Sequence, residues 1–428
     1  MPTEARTLTP IRPTGRVTRV VGHEIEVRGL RLRVGDSLEV AGGGSRLAAE
    51  VVSVGDSGAR AVVLGETAGI GSDDRVWKAP RAASVPVGAE LIGRVVDASG
   101  SPMDGGPPLR LDRVPLEGSV PPPLTRQRID EIFPVGVKVI DLLCTLGKGQ
   151  RVGIVGGSGV GKSSLLGMIA RGASADVNVV AMVGERGREV REFIEDGLGA
   201  QGLSRTVVVV ATSDESPMVR LRAGLVATRM AEWFADEGAD VMLMVDSLTR
   251  LAMAQREIGL AAGEPPTARG YTPSVFSLLP RLLERAGPRS AGTVTGIYTV
   301  LVEGDDHNDP IADAARGILD GHLVLDRRLA TLGRYPAIDP LRSLSRLADG
   351  LVGSERTLVA RSARSALAAA DEVRDLVEVG AYVPGSNPEA DRGLALSPDL
   401  VSLFRQTPDQ LSDFEPSWRE LAAIVGRS

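Results

Sequence analysis

The segment Arg151 to Leu166 reads RVGIVGGSGVGKSSLL, and its GxxxxGK[ST] spacing is filled by Gly156, Gly161, Lys162 and Ser163. Glycines here let backbone N–H groups turn inward around the phosphates of a nucleotide, and a following helix adds the positive end of its dipole. The expected cradle is Gly156, Gly157, Ser158, Gly159, Val160, Gly161, Lys162, Ser163 and Ser164. Lys162 is placed to reach the β and γ phosphates, and the Ser163 hydroxyl to hold Mg²⁺. Asp246 closes the apolar run VMLMVD, where a second carboxylate would meet Mg²⁺ through its water shell. An Asp at a strand end also serves as a helix cap, so Asp246 gains the metal role from its pairing with the loop. Glu185 follows VNVVAMVG in the segment GERGREV, at the height where a water would lie in line with the γ phosphorus. A carboxylate there can orient and polarise that water. Arg186 beside it is a candidate for the γ phosphate, and a solvated turn leading into a helix over Glu189 to Leu198 is the competing reading.

The elements that must carry these residues follow from the pattern of apolar runs. RVGIV, VNVVAMV, TVVVVA, VMLMVD, TVTGIYTVL and HLVLD are continuous rather than alternating, which implies strands buried on both faces of a mostly parallel, doubly wound sheet. Ligands in that architecture sit at the carboxyl ends of the strands. Helical stretches such as Ser216 to Asp236 separate them. Before this region, VTRVV, IEVRG, LRLRV, AAEVVSV and RAVVLG predict a small β-barrel between Gly15 and about Ala83. The Pro- and Gly-rich segment Gly93 to Pro123 reads as a strap. Strands stop after Leu347, and Glu355 to Val379 predicts an alanine-rich helix. The expected domains are a barrel with a short arm over 1–85, a nucleotide-binding domain over 86–347 and a helical domain over 348–428.

Composition narrows the function. A hydrophobic content of 43% supports packed cores, and the net charge of −6 argues against a nucleic-acid scaffold, which needs a basic face. The single Cys144 excludes an internal disulfide and fits a reducing cytosol. The start MPTEARTLTPIRPTGR lacks a signal-peptide core, and no apolar run is long enough for a membrane span. Attachment to a membrane is expected only through partners.

The P-loop, GERGREV, VMLMVDSLTR, AMAQREIGLAAGEPPT, GYTPSVFSLLPRLLERAG, LVEGDDHNDPIAD, RGILDGHLVLDRRLA and RYPAID together resemble the flagellar protein-export (type III secretion) ATPases, cousins of the rotary ATP synthase catalytic subunit. The resemblance implies ATP and Mg²⁺ as substrate and cofactor, Lys162 and Ser163 as the P-loop pair, Asp246 as the Walker B carboxylate and Glu185 as the residue that activates water. It implies Arg186 beside that glutamate, Tyr335 in RYPAID as the ring stacked on adenine, and Arg346 in SLSR as the finger supplied by a neighbouring subunit. By residue statistics alone Tyr335 reads as core packing. A homohexameric ring follows, with a coiled-coil stalk, regulator proteins, export substrates and chaperones as partners, in the cytoplasm at the inner face of the cell membrane. The acidic turn Glu303 to Pro310 resembles the ring-lining loop that meets the stalk. The short Thr3 to Arg16 segment, with its prolines, departs from the longer regulator-binding arm of similar proteins. A virulence-type secretion ATPase and an ATP synthase subunit are the enzyme alternatives. An RNA translocase is disfavoured because the barrel up to Ala83 carries only Trp77 as an aromatic platform. A non-catalytic ring subunit is disfavoured because Glu185 is present.

Overall fold

A computed structural model describes residues 13–79, 83–118, 120–124, 126–302 and 309–426. Six strands, β1 (Thr14–Val21), β2 (Glu24–Arg28), β3 (Ser37–Gly42), β4 (Ser45–Gly55), β5 (Gly58–Val63) and β6 (Arg75–Lys78), close into a barrel in the order β1-β2-β5-β4-β3-β6. Alternating residues face inward, so Ile25, Val27, Leu38, Val40, Val51, Ala61 and Val76 fill its interior. The expected strand LRLRV is instead an irregular loop that ends in a turn at Val34 and Gly35. Leu30 and Leu32 pack against the barrel core, but Arg33 N–H donates to the Asp36 carboxylate at 2.8 Å and Gly35 N–H to Val51 O at 2.8 Å, which spends the backbone locally. The strand that closes the barrel, Arg75–Lys78, carries too few residues to stand out in the sequence.

Next come a ribbon of β7 (Ser84–Val87) with β9 (Asp112–Pro115), and between them β8 (Val95–Asp97). The main sheet adds β10 (Arg151–Gly156), β11 (Val177–Glu185), β12 (Thr206–Thr212), β13 (Asp240–Asp246), β14 (Gly287–Pro288), β15 (Thr293–Leu301), β16 (Gly321–Leu325) and β17 (Ile338–Ser345). Its order is β17-β16-β10-β15-β13-β11-β12-β8, with β14 on β15. All pairings are parallel except β16 with β17 and β14 with β15. The strap thus contributes an edge strand: Val95 and Val96 pair with Val208 and Val209, and their apolar pair is hidden by the Gly and Pro around it.

Every residue of β11 is buried, as a strand covered on both faces requires. Val179, Ala181 and Val183 enter one core, while Val180 and Met182 enter the other. The helix Lys162–Gly172 packs Leu165, Leu166 and Ile169 into the second core. Pro217–Asp236 lies in the first and starts where the Ser216 hydroxyl caps Val219 N–H, as its sequence predicts. The stretch predicted helical from Glu189 to Leu198 is helical: a short α-helix over Gly187–Glu192 runs into a π-helix over Phe193–Leu198. After β17 the described residues form only helices: Ala348–Glu372, Arg374–Glu378, Pro388–Phe404 and Phe414–Val425. Within Ala348–Glu372 the backbone kinks at Gly353 (φ 80°, ψ 170°), so the predicted alanine-rich helix starts beside Glu355, as expected, and it breaks at Val373 before Arg374–Glu378.

Candidate active site

Strands β10, β15, β13 and β11 are neighbours and parallel, so their carboxyl ends form one row. Off the first of these ends the chain leaves β10 at Gly156, turns through 157–161, and enters the helix at Lys162. Gly161 sits at φ 89°, ψ 21°, the left-handed conformation that lets the loop double back onto the helix start. From there the Lys162 ammonium lies 2.5 Å from Asp246 Oδ1 and 3.6 Å from Glu185 Oε1. Asp246 also accepts from the Thr299 hydroxyl at 2.6 Å. Both carboxylates are nearly closed to solvent, at 5% exposure for Glu185 and 3% for Asp246. The sequence candidates Lys162, Asp246 and Glu185 are thus brought together, with Ser163 beside Lys162 on the same first turn.

A bulge aims Glu185. Pairing of β11 with β12 slips between Val183 and Glu185, and Gly184 takes φ 69°. A Cβ at this position would lie 2.9 Å from Cδ of Arg250, so only glycine lets that arginine pass. Arg250 Nε then reaches Glu185 Oε1 at 3.2 Å. The helix carrying it, Leu248–Ala261, begins where the Ser247 hydroxyl accepts from Arg250 N–H.

Burial is the main cause that pushes the Glu185 carboxyl up to about 7. A hydrogen bond with Glu189 and the Asp246 charge push the same way, and Lys162 and Arg250 oppose them. Glu189 accepts that bond, which holds its own carboxyl below the usual range. An acid poised near neutrality beside a lysine and a carboxylate can take a proton from a water molecule.

Tyr335 lies across the loop. An ideal Cβ on Gly161 would sit 3.2 Å from Tyr335 Cε1, so the ring rests on the P-loop backbone. Tyr335 is 44% exposed, and the core-packing reading fails. Its ring, Gly161, Leu165, Met168 and the turn Arg405–Gln410 line a cavity of about 590 Å³. That volume is in the range of sites for small organic ligands.

Two candidates stand apart from the cluster. Arg186 is 73% exposed and pairs with Glu189 at 3.4 Å on the rim. Arg346 follows β17, whose end pairs Ser345 with Gly321, and Gly321 pairs with Val152 at the start of β10. The P-loop leaves the far end of β10, roughly 13 Å further along the strand. Arg346 therefore does not meet its own P-loop, and it donates to Arg316 O at 3.3 Å. Of the acidic turn, Asp309 caps the helix Pro310–Ile318 by accepting from Ile311 and Ala312 N–H, while residues 303–308 lie outside the described residues. The arm over residues 1–12 does too.

Arg250, Thr299 and Glu189 were missed by reasoning along the sequence. Arg250 stood inside the quoted VMLMVDSLTR, one helical turn beyond Asp246, and Glu189 one turn beyond Glu185; Thr299 left no signal. The donors available to a cation are the Ser163 hydroxyl and the Asp246 carboxylate, all oxygen. That set fits a hard ion such as Mg²⁺, which keeps several waters and relies on phosphate oxygens for the rest.

Residues 136–345 match the nucleotide-binding domain of the ATP synthase alpha/beta family, and residues 352–423 match the T3SS EscN ATPase C-terminal domain. The chain is 49% identical to the flagellum-specific ATP synthase of Bacillus subtilis, over 96% of this chain and 95% of that relative. It is 48% identical to the type 3 secretion system ATPase of Xanthomonas euvesicatoria, over 99% of this chain and 96% of that one. The assembled ATPase EscN of the enteropathogenic E. coli type III secretion system superposes with a TM-score of 0.92 at 41% identity, covering 96% of this chain and 100% of that chain. The same ATPase in complex with its central stalk EscO gives 0.88 at 40% identity, again covering 96% and 100%. The chain matches these relatives over nearly its whole length, and it belongs to the family of flagellum-specific and type III secretion ATPases within the ATP synthase alpha/beta family.

Proposed function

We propose that the chain is a Mg²⁺-dependent ATP hydrolase whose turnover energises protein export by a flagellar type III secretion apparatus. The observation that carries this is the meeting of Lys162, Asp246 and Glu185 at adjacent strand tips, with Tyr335 lying over the loop. ATP would place its base against Tyr335 and its phosphates along 156–164. Lys162 would leave Asp246 for the β and γ phosphates. Glu185 would accept a proton from the attacking water as the new P–O bond forms and the bridging P–O bond breaks. Arg250 orients that carboxylate. Bound at Ser163 and, through water, at Asp246, Mg²⁺ would neutralise phosphate charge.

Arg186, on the exposed rim beside Glu189, would turn to the terminal phosphate of a bound nucleotide. Arg346 cannot serve its own loop from the opposite end of the strand, so it would act on a neighbouring copy, where such a finger is worth about 10³–10⁵ in turnover. Activity would then need a ring, here a homohexamer, and the assembled state of the EscN relative supports self-association. A stalk would pass through it, as the EscN complex with EscO suggests. Regulators, export substrates and chaperones would be the other partners, with no nucleic acid among them. Among the described residues no helix is long and apolar enough to cross a membrane. A cytoplasmic place at the inner membrane face would therefore rest on those partners.

The virulence-type secretion system is the second reading, and the 48% identity to the Xanthomonas protein supports it as well as 49% supports the flagellar one. The identity of neighbouring genes separates the two. Glu185→Gln tests the chemistry: nucleotide affinity should persist while kcat falls by about 10²–10⁴. Normal turnover in that variant would remove Glu185 as the base.

A further inference from the structure

The cavity beneath Tyr335 is walled on its far side by Arg405–Gln410, the turn joining the helices Pro388–Phe404 and Phe414–Val425. Gln406, in this turn, is 4% exposed. Its side-chain amide hydrogens both go to carbonyls, Gly136 O and Gln410 O, each at 3.0 Å. Its Oε1 accepts from Lys138 N–H at 2.7 Å, and its own backbone N–H donates to Tyr335 O at 3.0 Å. One residue therefore ties together the ring that covers the P-loop, the turn opposite it, and the segment that starts the helix Lys138–Leu143. None of its hydrogens is left over for a ligand.

We propose that Gln406 is the positioning residue of the base-binding half of the site, holding Tyr335 and the 405–410 turn apart as the two walls of the nucleobase cavity. This rests on the nucleotide-site reading above and deepens it. The phosphates do not depend on Gln406, because the loop 156–161 is fixed by β10 and by the helix from Lys162. Carbonyls on the cavity walls are also spent inside the protein: Tyr335 O and Gln410 O on Gln406, and Pro408 O on Arg171 Nη2 at 2.6 Å. The base is then gripped by stacking and by the spacing of the walls, which Gln406 sets.

Calorimetric titration of the full chain with ADP and, separately, with inorganic pyrophosphate tests this in the wild type, Gln406→Leu and Gln406→Glu. Gln406→Leu keeps the bulk and removes every side-chain hydrogen bond; Gln406→Glu keeps the acceptor for Lys138 and loses both donors. The ADP dissociation constant should rise roughly tenfold in each, the equivalent of about one buried hydrogen bond. Pyrophosphate affinity should stay within about twofold. Parallel weakening of both ligands, no change in either, failure of the wild type to bind ADP more tightly than pyrophosphate, or failure of both variants to fold would overturn the proposal. Absence of ATP turnover in a wild type that passes the binding comparison would overturn the hydrolase reading alone.

Discussion

Two buried glutamates in this chain face opposite fates. Glu232, at 0% exposure, is clasped by Arg285 through two contacts of 2.6 and 2.9 Å, with Arg229 Nη1 adding a third at 3.4 Å. Glu185, at 5%, meets one nitrogen of Arg250 at 3.2 Å and a lysine at 3.6 Å that lies closer to Asp246. The first carboxylate has a planar partner matched to both its oxygens. The second shares its cations with a rival acid and keeps an affinity for protons. Burial alone does not make a reactive carboxyl; incomplete neutralisation does.

The same isosteric change at both sites should break this pairing in opposite ways. Glu185→Gln costs turnover, as stated above, and should leave the thermal midpoint unchanged or higher, because a half-neutralised buried acid is removed. Glu232→Gln leaves Arg285, itself 7% exposed, without its counter-charge. Stripping one partner from a buried pair costs about 3–5 kcal/mol. Urea unfolding should show that loss, and the folded fraction should retain its kcat per active site. Equal stability losses in the two variants would erase the distinction.

Much of this was legible in the sequence because chemistry-bearing residues terminate long apolar strands. Gly156, Glu185 and Asp246 each end a run whose continuous burial identifies it as an inner parallel strand, so their convergence follows from the fold class. Thr299 was not legible: it sits within β15, and only the strand order β10-β15-β13 brings its hydroxyl to Asp246. Gln406 was hidden for the same reason, since its partners Gly136, Lys138 and Tyr335 are distant in sequence. Local misreadings had local causes. Leu30 and Leu32 alternate like a strand yet belong to an irregular loop, and the strand Val95–Asp97 is too short to outweigh its Gly and Pro neighbours.

Titration tests the Glu185 side of this comparison. With Glu185 raised from 4.5 to about 7, the carboxylate needed to accept a proton is in the minority below neutrality. Under saturating ATP, kcat should rise about tenfold per pH unit up to roughly 7 and then level. Stability of the nucleotide-free chain runs the other way. A raised carboxyl binds an extra proton in the folded state between 4.5 and about 7, so its contribution is present at low pH and is lost as pH rises through that window. Glu185→Gln should flatten this slope. A pH-independent kcat between 5 and 7 would instead tie the limiting step to product release or ring motion.

The smallest effect expected is that of Arg250→Gln. Arg250 lowers the Glu185 carboxyl against burial, so its removal should carry the acid limb upward by about one pH unit, in line with an opposite charge at contact distance. At pH 9 both proteins would have Glu185 ionised, and the remaining difference in kcat would report only the lost orientation of the carboxylate. At pH 7 the variant should be slower by up to about tenfold, and raising the pH to 9 should recover the part that comes from protonation of Glu185. A deficit that persists unchanged at pH 9 would mean that Arg250 touches the substrate rather than tuning Glu185. The arginine would then stand beside Lys162 as a catalytic residue, and the contrast with Glu232 would rest on burial and on Asp246 alone.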